Sequence, residues 1–320
     1  MAYKTLNLVD KEDVLRNLDF KISKFPDGQQ AVTLIERDYN TFDSCEGSEF
    51  IIIARLNSFS DLELIVSAVA ALREIRVKDI NLYVPYFLGA RSDRTFRSKP
   101  GDTPKTITSN YLKTVICPII NSLEFKEVIV LDPHSDVLEA CIKNFKKVPN
   151  DVLIEFALDD YFNGEPRNFS KMRLISPDAG ALKKVYDVAE HIGYREDVVV
   201  AMKHRDVQTG KITHTEVPIT IHDVDKDFFI LDDICDGGRT FTEIAKAIKQ
   251  IRSFSSAVHP DHYGKIYLVV THGIFSAGLK PLNEHFDGIY TTNSYSDMGD
   301  PDFSLKNDNE MHKLKQFKVI

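Results

Sequence analysis

The chain has 320 residues, 43% of them apolar and 28% charged, and a formal net charge of −8. This is an ordinary composition for a soluble globular protein, with enough apolar residue for a sizeable core and a length that suggests about two domains. The acidic balance disfavours nucleic acid and anionic membrane as partners, so an anionic substrate has to be met by locally placed Arg and Lys.

In chain order, Leu6 and Leu8 mark a short strand, and Phe25-Pro26-Asp27-Gly28-Gln29 is a turn by its Pro and Asp-Gly. Phe50 to Ala54 reads as a buried strand. Ser60 and Glu63 can cap a helix whose apolar stripe is Leu62, Ile65, Val69 and Leu72. Ile80 to Phe87 is a further strand, ending in Gly89-Ala90-Arg91-Ser92-Asp93-Arg94. A basic segment then runs through Arg97, Lys99, Gly101 and Lys105. Residues 106–122 read as a helix and Val128 to Leu131 as a strand, stopped by Pro133 in Asp132-Pro133-His134-Ser135-Asp136. A short helix over 136–145 precedes Lys146 to Asn150, the candidate domain boundary. The second half repeats this rhythm. A helix over 151–162 is followed by the strand Met172 to Ile175 and Ser176-Pro177-Asp178-Ala179-Gly180. The next helix carries Leu182, Val185, Ala189 and Ile192 on one face. Val198 to Met202 is a strand leading into Lys203-His204-Arg205, and 206–216 is polar and hairpin-like. Phe228 to Leu231, Ile266 to Val270 and Gly288 to Thr291 complete the strands. Alternating strands and helices in both halves predict an α/β protein with two similar domains, each a mainly parallel sheet flanked by helices. Leu131-Asp132 and Leu231-Asp232 hint at duplication.

Cys45, Cys117, Cys141 and Cys235 are scattered without a CxxC spacing, so the cysteines suggest neither a disulfide framework nor a zinc site, and a reducing cytoplasm is the simple expectation. Met1 to Asp13 carries early acids and no long apolar run, which argues against a signal peptide. No 18-residue apolar stretch predicts a membrane span.

The stretch Phe228 to Thr240 organises the chain. A short apolar strand runs into Asp232-Asp233, then the small-residue turn Asp236-Gly237-Gly238, then a helix with Phe241, Ile244, Ile248 and Ile251 at helical spacing. Thr240 and Glu243 read as a capping box. Backbone N–H groups at a helix N-terminus make an anion cradle, and two adjacent acids invite a cation or hydroxyl groups. The other polar residues of note, Arg91 to Arg94, Asp132 to Asp136, Asp178 and Lys203 to Arg205, also follow strands, at the end of a sheet where open α/β folds bind ligands.

Residues 231–240 resemble the phosphoribosyl-diphosphate loop of type I phosphoribosyltransferases: strand, two acids, two residues, an acid, small residues, Thr. More specifically, the chain resembles the ribose-phosphate diphosphokinase family. The motifs are Phe25-Pro26-Asp27-Gly28-Gln29, Pro85 to Arg94, Asp132-Pro133-His134, Ser176-Pro177-Asp178-Ala179-Gly180, Lys203-His204-Arg205, Thr271-His272-Gly273-Ile274-Phe275-Ser276 and Thr292-Asn293-Ser294, in family order. The departures are Gln29 for Glu, Ser92 for Gln, Ala179 for a common His, a longer run over 95–127, and Arg239 where a small residue is usual.

The resemblance implies an N-terminal ATP-binding domain over 1–148 and a C-terminal ribose-5-phosphate-binding domain over 149–320, whose closing residues can pack back on the first. It implies Mg²⁺-dependent transfer of the β,γ-diphosphoryl group of ATP to the C1 hydroxyl of ribose 5-phosphate, giving phosphoribosyl diphosphate and AMP. By resemblance His134 and Asp178 are metal ligands. Lys203 and Arg205, with His134, are catalytic. ATP falls to Arg91, Ser92, Asp93 and Arg94, with Phe25, Asp27 and Gln29 reaching adenine across a homo-oligomer, dimer or hexamer. Asp232 and Asp233 take the ribose hydroxyls, and Asp236, Gly237, Gly238, Arg239 and Thr240 the 5-phosphate. A guanidinium at 239 suits a larger anionic acceptor, so ADP-ribose, with a place in NAD rebuilding, stands as the alternative acceptor. An inactive regulatory homologue should lack the loop cations, which Lys203 and Arg205 retain. A phosphoribosyltransferase leaves His134 and Arg91 to Arg94 unexplained.

Overall fold

The computed structural model describes residues 4–10, 18–36, 41–98, 101, 103–205, 212–254, 259, 262–298 and 311–320. Lys99 of the predicted basic segment, residues 206–211 of the polar stretch and the side chain of Arg205 lie outside the described residues. The chain forms two compact units, Met1–Pro149 with Ile320, and Asn150–Val319.

In the first unit, β1 (Lys4–Asn7) precedes a hairpin of β2 (Phe20–Lys24) and β3 (Gln30–Leu34). The predicted turn joins the two: the Phe25 amide donates to the Gln29 carbonyl at 2.8 Å, and the Gln29 amide to Asp27 Oδ1 at 3.1 Å. β4 (Glu49–Ile53) leads to α1 (Phe59–Glu74), then β5 (Asp79–Tyr83). The stripe Leu62, Ile65, Val69 and Leu72 is buried as periodicity predicts. The cap is not the predicted pair. Ser58 accepts from the Asp61 amide and Asp61 from the Ser58 amide, so the helix starts two residues earlier than a Ser60 cap requires.

The expected helix over 106–122 is shorter. Phe96 and Ser98 pair with Thr108 and Thr106 in an antiparallel arm, and Asn110 Oδ1 accepts from the Lys113 amide. Helical structure then begins as a π turn (Leu112–Ile116) running into α2 (Cys117–Ser122). β6 (Glu127–Leu131) follows, then α3 (Val137–Cys141) and β7 (Phe145–Val148). The helix predicted to reach 145 stops early, with Asn144 at a φ of 54°. Lys146 to Val148, read as linker, form the edge strand of the sheet. That sheet is parallel throughout, in the order β1-β4-β5-β6-β7.

The second unit runs α4 (Asp151–Phe162), β8 (Met172–Ser176), α5 (Leu182–His191), β9 (Val199–Val200), β10 (Met202–Arg205), β11 (Ile212–Glu216), β12 (Asp227–Cys235), α6 (Arg239–Ser253), β13 (Ile266–Gly273), α7 (Lys280–Asn283), β14 (Gly288–Thr292) and β15 (Leu314–Phe317). Its six-stranded sheet is parallel, in the order β15-β14-β13-β12-β8-β9. The period of two along β12 divides the core. Phe228 and Ile230 pack with Phe241, Ile244 and Ile248 of α6. Phe229 and Leu231 face Ile154 of α4 and Val185 and Val188 of α5. β10 and β11 form a separate antiparallel hairpin. The strand expected over 198–202 is thus two short strands, β9 and β10, parted at Ala201, whose amide donates to the Ser176 carbonyl at 2.9 Å.

The candidate active site at the strand ends

Strand order in the second sheet reverses between β8 and β12, which opens a crevice at their carboxyl ends. Four predicted groups meet around it. β8 ends at Ser176, whose hydroxyl donates to the Asp178 carbonyl at 2.7 Å and folds the chain back. Asp178 Oδ1 accepts from the amides of Gly180 at 3.0 Å and Ala181 at 3.3 Å. Its other oxygen, Oδ2, accepts from Lys203 Nζ of β10 at 3.0 Å. Burial opposes the charge on Asp178, but the Lys203 ammonium and those two amides outweigh it and hold the carboxyl below its ordinary range. Asp178 is therefore ionised at neutral pH.

β12 continues through Asp232 and Asp233 to Cys235, so the two acids stand inside the strand and not beyond its end as the apolar pattern implies. The alternation of faces sends them opposite ways. Asp233 is buried on the α5 side and accepts from Lys184 Nζ at 2.7 Å. Asp232 remains partly open and accepts the Asp233 amide at 2.9 Å. Burial, then the neighbouring Asp233 carboxylate, push Asp232 well above the usual carboxylate range. A folded-state pKa raised in this way means that ionised Asp232 opposes folding. Its contribution should make the protein more stable as pH falls from neutral through the raised value, levelling at the ordinary carboxylate range. Asp232→Asn should therefore raise the neutral-pH stability of the ligand-free protein by about 1 kcal/mol, with the gain vanishing near pH ~4. Thermal unfolding at the two pH values reads this directly, and a lower midpoint for the variant at neutral pH would contradict it.

After Cys235 the chain turns through Asp236 and Gly237 to Gly238, at a φ of 75°, the left-handed region glycine tolerates. Gly238 caps α6, and Arg239 and Thr240 open it, where helix geometry leaves N–H groups without an acceptor one turn back. The predicted Thr240–Glu243 capping box does not form. Gly238 occupies the cap position instead, and Glu243 pairs with Lys246 at 3.0 Å. Arg239 is exposed. The loop after β13 braces the turn: the amides of Ile274 and Phe275 donate to the Cys235 carbonyl at 2.9 and 3.1 Å, and that of Ser276 to the Asp236 carbonyl at 3.1 Å.

The predicted ATP residues lie in the first unit. Arg91, Ser92 and Arg94 are exposed, whereas Asp93 is buried beside Arg94 Nε at 3.5 Å. The Asp93 carbonyl accepts from Asn110 Nδ2 at 2.6 Å, so Asp93 anchors the turn that presents the arginines. Phe25 is half exposed at the hairpin tip, and Asp27 and Gln29 are exposed beside it. His134 is exposed beyond Asp132, whose φ is 39°.

Two features escape the sequence reading of individual site residues. Lys184 is one; it falls four residues before buried Val188, so helical periodicity places it at the margin of the buried stripe. The other is a buried polar knot at the ends of β13 and β14. His272 Nδ1 lies 2.8 Å from Ser294 Oγ, the Thr292 hydroxyl donates to the Thr271 carbonyl at 2.7 Å, and Asn293 Oδ1 accepts from the Val319 amide at 2.7 Å.

No family model matches the chain. It is 25% identical over 293 residues to a ribose-phosphate pyrophosphokinase of Pyrococcus abyssi, covering 89% of this chain and 88% of the relative. It is 28% identical over 283 residues to the Campylobacter jejuni protein of that name, covering 85% and 82%. The phosphoribosylpyrophosphate synthetase structure from Mycobacterium smegmatis superposes with a TM-score of 0.69 at 14% identity, covering 95% of this chain and 87% of that one, a likeness of fold. Among the described residues no helix is long and apolar enough to cross a membrane. The chain is thus similar in sequence, through both units, to ribose-phosphate pyrophosphokinases, and similar in fold to a phosphoribosylpyrophosphate synthetase.

Proposed function

We propose that the protein transfers the β,γ-diphosphoryl group of ATP to the C1 hydroxyl of ribose 5-phosphate. The C1 oxygen attacks the β-phosphorus, the bond from that phosphorus to the α,β-bridging oxygen breaks, AMP leaves, and the hydroxyl proton is released. The observation that carries this reading is the ionic Lys203–Asp178 pair at the crevice that also receives Asp232 and the helix cradle. A phosphoribosyl acceptor needs groups for hydroxyls and for a phosphate, and a diphosphoryl donor needs a placed cation; β8, β10, β12 and α6 bring all three to one sheet end.

In this reading the amides of Gly237 to Thr240 hold the 5-phosphate, and Asp232 orients the ribose hydroxyls, with Asp233 and Asp236 behind it. Lys203, with Arg205 on the same strand, neutralises charge that builds on the transferring group. Arg91 and Arg94 hold the ATP phosphates, and Phe25, Asp27 and Gln29 serve adenine in an oligomer. Asp178 is a hard oxygen donor with accessible surface, the donor type Mg²⁺ takes alongside substrate phosphates, so it fits that ion; His134, a less usual ligand for it, is the other proposed one. When bound, Mg²⁺ supplies charge neutralisation on ATP oxygens.

A second acceptor, ADP-ribose, is favoured by one observation: Arg239 projects as an exposed residue from the first position of α6. Incubation with ATP and each acceptor, with products read by mass, tests both. AMP formation with a diphosphorylated acceptor is expected, and its absence with both acceptors rejects the proposal. If ADP-ribose is the acceptor, Arg239→Ala should raise its KM by about tenfold or more, the scale of one charge-assisted hydrogen bond, and leave KM for ATP nearly unchanged. An unchanged acceptor KM rejects the role of Arg239.

A further inference from the structure

The hairpin that carries Lys203 has a second face. Side chains alternate along a strand, so His204 points away from the face Lys203 presents to Asp178. Across the ladder His204 stands directly opposite His214, and Glu216 lies two residues on, on that same face. The two imidazole rings stack with centroids 4.2 Å apart and planes within 6°. His204 Nε2 lies 2.8 Å from Glu216 Oε2, and the ligand atoms the three residues offer all fall within 4.8 Å of one another. All three are exposed.

Two imidazole nitrogens and a carboxylate oxygen form the three-ligand set of open zinc sites, with a fourth position for water. Ligand atoms in a tetrahedral zinc site at ~2.0–2.1 Å from the ion sit about 3.3 Å apart, so the two stacked rings have to turn out of their parallel planes for their nitrogens to converge on one ion. Nitrogen donors select a borderline metal over Mg²⁺ or Ca²⁺, which separates this set from the oxygen groups at the crevice.

We propose that His204, His214 and Glu216 form a binding site for a divalent transition metal of the Zn²⁺ class, tying β10 to β11 on the face opposite Lys203. The site stands independently of the reaction proposed above, and its test reads binding alone. The intact protein is titrated with Zn²⁺ against a chromophoric chelator, with Mg²⁺ in excess to occupy oxygen-donor sites. One equivalent is expected to bind at about 1 μM or tighter, as three-ligand sites do. His214→Ala and, separately, Glu216→Gln should weaken it at least tenfold, while Lys203→Ala, on the other face, should not. These side chains are exposed, and matching circular dichroism spectra of the variants would show retained folds. Binding that survives unchanged in His214→Ala, or wild-type binding weaker than about 100 μM, would overturn the proposal.

Discussion

Lys203→Ala is expected to lower kcat for AMP formation by about a thousandfold, with KM for the acceptor little altered. Removing a single preorganised group that meets developing transition-state charge has effects of this size. The side chain is positioned for it, mostly buried and 3.0 Å from Asp178 Oδ2 at the carboxyl end of β8. Steady-state kinetics measured with ATP and with acceptor separate the two parameters, and a kcat within tenfold of wild type would refute the role. The same substitution has a second readout. Asp178 keeps its depressed pKa largely through Lys203, and an acid depressed in the folded state adds stability above its unfolded pKa. That increment is lost as pH falls through the folded value. Wild type and Lys203→Ala should therefore differ in stability at neutral pH and converge in acid. The difference is small because Asp178 is partly exposed to solvent.

Gly273→Ala should destabilise the second unit by about 3 kcal/mol, lowering its unfolding midpoint by roughly 6–12 °C. A Cβ at position 273 would lie 2.2 Å from Phe275 Cε2 and 2.8 Å from Thr291 Oγ1. Neither neighbour can yield cheaply. Phe275 is fully buried, at a φ of 47°, and its amide is bonded to the Cys235 carbonyl. Displacing it pulls on the loop that braces Asp236 to Gly238, so acceptor binding should weaken together with stability. Gly237→Ala is the matched control, because a Cβ there comes no closer than 3.7 Å to any atom. Calorimetry of the two variants checks the contrast, and equal midpoints would show that the 273 site relaxes freely.

Much of the fold is legible because apolar runs and helical stripes have physical causes that act locally. Phe228 to Leu231 and the stripe on α1 are buried as their patterns require. Strand ends are less legible. A parallel ladder is held by backbone groups, so β12 continues through two aspartates and β13 through Thr271 and His272 where hydropathy alone ends the strand. β15 escapes the pattern because Lys315 and Gln316 dilute its apolar residues, although Leu314 is buried in the core. The cap of α6 is misread for a related reason. Thr240 and Glu243 have the right spacing, but Gly238 reaches a backbone conformation that starts the helix two residues sooner. Motif residues at strand ends can be found from sequence, while their partners depend on tertiary approach. Nothing in the sequence at Asp233 indicates Lys184, nor anything at Asp178 that Lys203 closes on it.

The two kinds of strand pairing imply different clocks. In the parallel sheets each ladder joins segments separated by a crossover, as Phe228 meets Ile266, so closing them requires long loops and proceeds slowly. The antiparallel ribbon of β10 and β11 pairs near neighbours, Lys203 with Thr215, and such ribbons zip within microseconds. Among the described residues it shares no ladder with the six-stranded sheet. Opening the ribbon therefore leaves the sheet's ladder hydrogen bonds intact, and it can be reformed many times within the life of a single folded sheet. The lysine on it is renewed on a timescale set by local zipping, while the carboxylates of β12 keep time with the unfolding of the whole unit.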